Sequence, residues 1–160
     1  MKIDNIDLEI IKHLQEDARL SFRKLGKHMG IPHTTVFTRA ERLLKKGVIS
    51  RFAAVLHPNE LGLQMGYIVI NAQPSESKRI AEKLAGFNEV QQVFRTFDGK
   101  VISKVVVPNP QGKPHVGFEE FLMKLNEPNV TALPIHEVVK FDDTIHPDLL
   151  KSIDMYSDSK

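Results

Sequence analysis

GIPHTTVFTRAERLLKKG, the stretch from Gly30 to Gly47, decides the fold of this chain. At about 3.6 residues per turn, its apolar side chains fall on one stripe of a helix, formed by Val36, Phe37, Ala40, Leu43 and Leu44. The opposite side carries Thr34, Thr35, Thr38, Arg39 and Arg42. Pro32 suits the first turn of such a helix, and Gly47 marks its end. The stretch therefore predicts a helix that buries one face and presents the other.

The presented face of this helix holds three threonines and two arginines and no carboxylate. The same spacing predicts that Glu41 lies toward the edge of the apolar stripe. A solvated surface helix, which is the alternative interpretation, usually mixes charges of both signs. A face that lies against phosphates and base edges excludes acidic side chains, because phosphates repel them. The pattern therefore indicates a helix that contacts DNA.

The charge of the chain is concentrated around this helix. Residues 19–51 contain nine Lys and Arg against one acid, a net charge of +8. Residues 61–160 contain eleven Lys and Arg against thirteen Asp and Glu, a net charge of −2. This distribution predicts that only the first third of the chain meets a polyanion.

The composition excludes several classes of protein. With 160 residues, 41% of them hydrophobic, and no cysteine, the chain can form a globular core but no disulfide framework. No apolar run approaches about eighteen residues and no apolar leader is visible, so neither a membrane span nor a secretion signal is predicted. The seven histidines show no metal-ligand spacing. We expect a cytoplasmic protein with no metal and no cofactor.

Two amphipathic stretches precede the helix of Gly30–Gly47. The first is capped by Asp4 or Asn5 and carries apolar residues at helical spacing, namely Ile6, Ile10, Ile11 and Leu14. The second follows Ser21, a good N-cap, and turns Phe22, Leu25 and Met29 inward. Two helices joined by a tight glycine-containing turn, with another helix behind them, predict a helix-turn-helix.

The hydrophobic period changes after Gly47. Residues 48–56 are typical of a strand that forms a wing or linker, and His57, Pro58 and Asn59 predict the turn that closes it. The remaining segments follow the order β-α-β-β-α-β, with a hairpin at Asp98–Gly99 and a last strand over 130–139. The fold class predicted is α+β, a winged helix-turn-helix followed by a ferredoxin-like sandwich.

These segments predict four parts of the chain. We expect a DNA-binding domain over residues 1–50, a strand linker over 51–62, an oligomerisation and effector domain over 63–141 and a polar tail over 142–160. The tail is expected to form a short helix with Leu149, Leu150 and Ile153 and then to fray. The apolar strands Tyr67–Ile70 and Val101–Val107 offer more apolar surface than one helical layer covers, so we expect copies to associate through the sheet.

Three segments carry a resemblance to a known family. They are IDNIDLEIIKHLQEDARLS at 3–21, GIPHTTVFTR at 30–39 and GVISRFAAVLHPNELG at 47–62. In these segments, and in the order of elements over residues 1–141, the chain resembles the Lrp/AsnC or feast/famine transcription regulators. The resemblance implies a winged helix-turn-helix and a ferredoxin-like domain that forms dimers and higher homo-oligomers. It also implies small-molecule effectors, often amino acids, bound between C-terminal domains.

The chain departs from the family pattern at two places. Pro32 stands where the family usually has a serine that caps the third helix, so the cap must come from elsewhere or be missing. The family tends to place T-G-x-x-D between the second and third strands of the C-terminal domain, where this chain has TFDGK at 96–100. The resemblance implies Thr96, Asp98 and Lys100 as effector-binding residues. Lys100 replaces the acid of the pattern and can pair with a carboxylate.

The predicted interface with double-stranded DNA centres on the third helix in the major groove. Threonines there can touch base edges or thymine methyl groups, and arginines can reach guanine or phosphate. The residues predicted to bind DNA are His33, Thr34, Thr35, Thr38, Arg39, Arg42, Arg23, Lys45 and Arg51. Because one helix-turn-helix buries little surface, a dimer that reads a near-palindrome is expected.

The sequence offers three alternatives to DNA binding. The two-domain arrangement also resembles sirohaem decarboxylases, for which Arg95, His115 and His136 are the available polar groups in the second half. A ferredoxin-like RNA binder should offer aromatic residues on its central strand, and Val101–Val107 has none. A pure oligomerisation or effector-sensing module would leave the acid-free helix face unexplained. The hypothesis favoured is therefore a DNA-binding regulator rather than an enzyme.

Overall fold

The structure is a computed structural model that describes residues 3–146 and 148–150. Its chain forms two compact units. The first unit takes in the described residues up to Ala54 and those from Phe141 onward, and the second takes in Val55–Lys140.

Three helices make the first unit: α1 (Asn5–Glu16), α2 (Phe22–Met29) and α3 (His33–Lys45). Their apolar faces meet in one core, whose buried members are Ile10, Leu14, Leu25, Val36 and Leu43. Ser21 caps α2, since its side chain accepts a hydrogen bond from the backbone N–H of Lys24 at 3.3 Å. A Cβ on Gly26 would lie 2.8 Å from the carbonyl oxygen of Ile31, so the tight packing of the α2–α3 turn requires glycine there. The predicted helix-turn-helix is confirmed.

Two sequence-based predictions about this unit are wrong. Phe37 is 51% exposed rather than buried with the apolar stripe of α3. It lies at the edge of the stripe, where its ring meets Phe22 edge-on at 5.9 Å. Residues 51–57 adopt no regular secondary structure, and in the described part of the chain no strand precedes Leu63. A strand needs a neighbour for its backbone hydrogen bonds, and the strand-like composition of 48–56 finds none in a single chain.

The described residues after Lys140 belong to the first unit. The side-chain amide of Gln15 on α1 donates to the carbonyl of Ile145 at 3.1 Å and accepts from the backbone N–H of Ile145 at 2.8 Å. Leu150 is 6% exposed. The rest of the predicted tail helix, including Ile153, lies outside the described residues.

The second unit has the predicted βαββαβ order. Its elements are β1 (Leu63–Ile70), α4 (Ser77–Ala85), β2 (Val90–Arg95), β3 (Val101–Pro108), α5 (Pro114–Leu125) and β4 (Val130–Pro134). A short 3₁₀ helix, Pro58–Leu61, precedes β1. The four strands form one antiparallel sheet in the order β2-β3-β1-β4. The ferredoxin-like fold is thus confirmed, although the last strand ends at Pro134 and not at Val139.

The sheet has one face under the helices and one face without them. Side chains alternate along each strand, so Val101, Val105 and Val107 of β3 pack into the core with Phe118 and Phe121 of α5. The opposite side, which we call the open sheet face, carries the apolar or aromatic residues Tyr67, Val69, Phe94, Ile102, Val106 and Leu133, and the polar residues Gln92, Lys104 and Thr131 lie among them. Phe94 is 50% exposed and Leu133 47% exposed.

An ion-pair cluster ties α4 to the loop before β4. The side chain of Glu127 is 5% exposed and accepts hydrogen bonds from Arg79 at 3.1 Å and from Lys83 at 2.8 Å. The hydrogen bond from Arg79, followed by the one from Lys83, lowers the pKa of Glu127 below its ordinary value of 4.5. The buried carboxylate therefore stabilises the second unit in its charged form.

Glu127→Gln is expected to lower the free energy of unfolding by about 2 kcal/mol, the usual range for hydrogen bonds to a charged group. Because the folded pKa is depressed, the stabilisation is present above the unfolded pKa near 4.5 and is lost as the pH falls through the folded value. Urea unfolding at pH 7 and at pH 3 measures both effects. A difference between wild type and variant that stays constant over this range would contradict the assignment.

Candidate nucleic-acid interface

The outer side of α3 brings five of the predicted DNA-binding residues together. An open depression of about 380 Å³ is lined by Thr34, Thr35, Thr38, Arg39 and Arg42. Thr34 and Thr38 are exposed, and so is His33 at the start of the helix. The Thr38 hydroxyl donates to the carbonyl of Thr34 at 2.9 Å, so its lone pairs and its methyl group stay available to a ligand. The depression can therefore accept hydrogen bonds and offer methyl contacts.

Both arginines of the depression are joined to carboxylates of α1. Arg39 Nη1 lies 2.5 Å from Asp4 Oδ2 and 3.0 Å from Asp7 Oδ1, and Arg42 Nη2 lies 2.5 Å from Asp7 Oδ2. Asp7 is fully buried. The hydrogen bond from Arg39 lowers the pKa of Asp4, and the same bond raises the pKa of Arg39. These four side chains, the α1–α3 ion cluster, have no net charge when all are ionised.

The same two aspartates also cap α1. The Asp4 side chain accepts from the backbone N–H of Asp7 at 3.0 Å, and the Asp7 side chain accepts from the backbone N–H of Asp4 at 3.2 Å. This reciprocal pair satisfies donors at the helix start. Asp7 thus takes part in the cap of α1 and also forms ion pairs with both arginines of α3.

The prediction of a carboxylate-free face on α3 is wrong for two reasons. Asp4 and Asp7 reach the face from α1, and Glu41, predicted toward the edge of the apolar stripe, is exposed. The pattern of α3 does not reveal the ion pairs with Asp4 and Asp7, because these aspartates lie more than thirty residues from their partners in the sequence. Arg39 and Arg42 stay predicted DNA contacts, but Asp4 and Asp7 cancel their positive charge.

Other cations of the first unit remain available to an anion. Arg23, Lys45 and Arg51 are exposed, and so are four further cations: Arg19, Lys24, Lys27 and Lys46. None of the seven forms an ion pair within the described part of the chain.

Helix α3 has no side-chain cap at Pro32, so the cap that the family pattern supplies is missing.

The three predicted effector residues lie together in the turn between β2 and β3. Lys100 Nζ pairs with Asp98 Oδ2 at 2.5 Å, while the Thr96 hydroxyl donates to the other oxygen of Asp98. The hydrogen bonds from Lys100 and then Thr96 lower the pKa of Asp98 to about 2. Phe97 at the tip of the turn is fully exposed. The turn therefore satisfies its polar side chains internally and presents a phenyl ring.

The residues considered for an enzyme are placed on different elements. Arg95 ends β2 and donates to the hydroxyl of Ser77 at 3.0 and 3.1 Å. His115 lies on α5, and His136 follows β4. Among residues 3–146 and 148–150, no group of three or more His, Asp or Glu side chains could hold a metal ion. Over the same residues, no helix has the length and apolar character needed to cross a membrane.

Comparison with known proteins defines the class of the first unit. Residues 3–50 match a family model described as winged helix-turn-helix DNA-binding. The fold and the site together define a helix-turn-helix protein with a ferredoxin-like second domain.

Relatives and solved structures extend the match beyond this unit. The HTH-type transcriptional regulator FL11 of Pyrococcus furiosus is 32% identical over 111 residues, which cover 68% of this chain and 74% of that protein. The uncharacterized HTH-type transcriptional regulator PH0140 of Pyrococcus horikoshii is 38% identical over 91 residues, and the match spans 56% of this chain and only 58% of that relative. The crystal structure of an AsnC family transcriptional regulator from Agrobacterium tumefaciens is 26% identical, with a TM-score of 0.71 over 92% of this chain and 99% of that chain. This chain belongs to the Lrp/AsnC family of transcription regulators.

Proposed function

We propose that this protein is a sequence-specific regulator that binds double-stranded DNA as a dimer or higher homo-oligomer. The observation that carries the proposal is the arrangement on α3, where exposed threonines line an open depression in a unit that also carries seven exposed cations, unpaired among the described residues. Residues 1–50 would hold the DNA, and residues 63–141 would join copies and receive an effector.

In this proposal α3 enters the major groove. Thr34 and Thr38 supply acceptor oxygens and methyl groups for base edges, and the half-buried Thr35 also lines the depression. His33 at the uncapped start of the helix can reach a phosphate, and so can Arg23, Lys45 and Arg51. Arg39 and Arg42 can contact DNA with the guanidinium N–H groups that the aspartates leave unused.

DNA binding is expected to weaken steeply with salt, because phosphate contacts release counterions from the duplex. Lys45→Ala should reduce the slope of log affinity against log salt by about 0.9, the contribution of one phosphate contact. Fluorescence anisotropy with a labelled duplex, measured over a series of salt concentrations, gives this slope. Lys113→Ala is the matched control, since it removes an exposed cation of the second unit. Salt-insensitive binding, or no binding by the pure protein, would contradict the proposed function.

The open sheet face supports association of copies. Its apolar side chains are partly exposed in the single chain, and a second copy of the same face would bury them through a two-fold contact. Val55 and Leu56, which precede β1 in the second unit, are also exposed apolar residues. Analytical ultracentrifugation at micromolar concentration tests this step, and a monomer would exclude it.

A small molecule such as an amino acid is proposed as an effector. A transcriptional regulator of Neisseria meningitidis with the same fold, 18% identical with a TM-score of 0.74, forms a complex with L-Met. In the present chain, Thr96, Asp98 and Lys100 cluster in the β2–β3 turn, where an amino acid would bind by exchanging its own carboxylate and ammonium groups into the Lys100–Asp98 ion pair. Selection of bound DNA with and without a panel of amino acids would identify an effector.

A further inference from the structure

Four exposed residues form a straight stripe along α3. Thr34, Thr38, Glu41 and Lys45 follow one another at steps of four, three and four residues, which places them on one side of a helix. All four are exposed. The stripe shares Thr34 and Thr38 with the open depression, so a duplex that contacts the depression also meets Glu41.

Glu41 enters this contact as an uncompensated carboxylate. Lys45 lies one turn further along, at a spacing where Glu and Lys often pair, but no ion pair joins them in the described structure. The two arginines of α3 are already bound to Asp4 and Asp7 of α1. Both oxygens of Glu41 are therefore free to accept hydrogen bonds from a ligand.

A bare carboxylate in the major groove is unfavourable unless a base satisfies it. Phosphates on both sides repel it, and the loss of its water costs free energy that only a hydrogen-bond donor can offset. Guanine and thymine offer a carboxylate no hydrogen-bond donor at the groove edge, and adenine sets its N6 amino donor beside the N7 acceptor, which repels a carboxylate. The N4 amino group of cytosine is a donor that carboxylates accept from. The carboxylate is thus compatible with some bases and incompatible with others.

We propose that Glu41 is a specificity-determining residue, which accepts a hydrogen bond from the N4 amino group of a cytosine in the major groove. The proposal rests on the proposed DNA-binding function and names one position of the site. Glu41 lies seven residues beyond Thr34, a rise of about 10 Å along the helix. At about 3.4 Å per base pair, the cytosine lies roughly three base pairs from the base that Thr34 meets.

The test is selection of bound duplexes from a random pool by the full-length protein, by Glu41→Gln and by Glu120→Gln. Glu120 is an exposed acid on α5, so its replacement removes the same charge far from α3 in sequence. The wild type and Glu120→Gln should select cytosine at one position of each half-site. Glu41→Gln should lose that preference and favour adenine, which glutamine contacts through two hydrogen bonds.

Anisotropy on single-base variants of the selected duplex then measures the effect. The wild type should prefer cytosine by about ten-fold at this position, and Glu41→Gln should reduce that ratio to near one. A uniform gain in affinity with unchanged base preference would show that Glu41 only repels phosphate and would overturn this proposal. That outcome leaves DNA binding intact, whereas absence of DNA binding by the wild type would overturn the proposed function itself.

Discussion

Asp7→Ala is expected to lower the free energy of unfolding by about 3 kcal/mol, because it removes the buried half of an ion cluster. The carboxylate of Asp7 is fully buried and bonds Arg39 at 3.0 Å and Arg42 at 2.5 Å. Without it, the guanidinium of Arg42 would lose its carboxylate partner, while its buried Nε already has no hydrogen-bond partner. The partial exposure of both arginines keeps the loss near the lower end of the range measured for broken buried pairs.

Urea denaturation followed by circular dichroism measures this loss. Asp17→Ala is the control, because Asp17 is an exposed aspartate of the same unit. Its side chain accepts a hydrogen bond from the backbone N–H of Arg19 at 2.9 Å. We expect Asp17→Ala to change stability by less than about 0.5 kcal/mol, as is usual at the surface. Equal stability of Asp7→Ala and wild type would show that the cluster does not hold α1 against α3.

The helices of the first unit could be predicted because their signals are local. Apolar spacing and the caps at Asp4 and Ser21 lie within a few residues of the helices they define. The strand predicted over 48–56 failed because strand formation depends on a partner, and residue composition does not reveal whether one exists. The apolar run up to Val139 predicts a longer β4, but the strand ends at Pro134.

The candidate site was predicted in its residues but not in its electrostatics. The helical period placed the threonines and arginines of α3 on one side, and the structure brings them around one depression. The pairing of Arg39 and Arg42 with α1 joins segments 32 and 35 residues apart, which no periodicity within α3 encodes. The exposure of Glu41 could have been found from its spacing of three residues from Thr38 and seven from Thr34. The assumption of an acid-free face obscured that signal.

The open sheet face lies far in sequence from α3, yet it should control operator affinity. Ile102 stands at the centre of this face, between Val69 of β1 and Phe94 of β2. Ile102→Asp would place a carboxylate where a second copy packs, and a buried charge without a partner strongly disfavours that contact. We expect sedimentation to show a monomer at concentrations where the wild type is a dimer.

Loss of the dimer should weaken binding to a palindromic operator by about 10²–10⁴-fold, because the two recognition helices no longer bind as one linked unit. Binding to a single half-site should stay within about three-fold of the wild type, since each helix-turn-helix keeps its own contacts. Met123→Asp is the matched control, as Met123 is a 77% exposed apolar residue on α5, away from the open sheet face. If both variants remained dimers and bound the operator equally well, association would have to use another surface. If Ile102→Asp weakened binding to the operator and to the half-site equally, the substitution would instead act on the fold. Dimerisation strengthens binding only to the operator, because only the operator contains two linked half-sites.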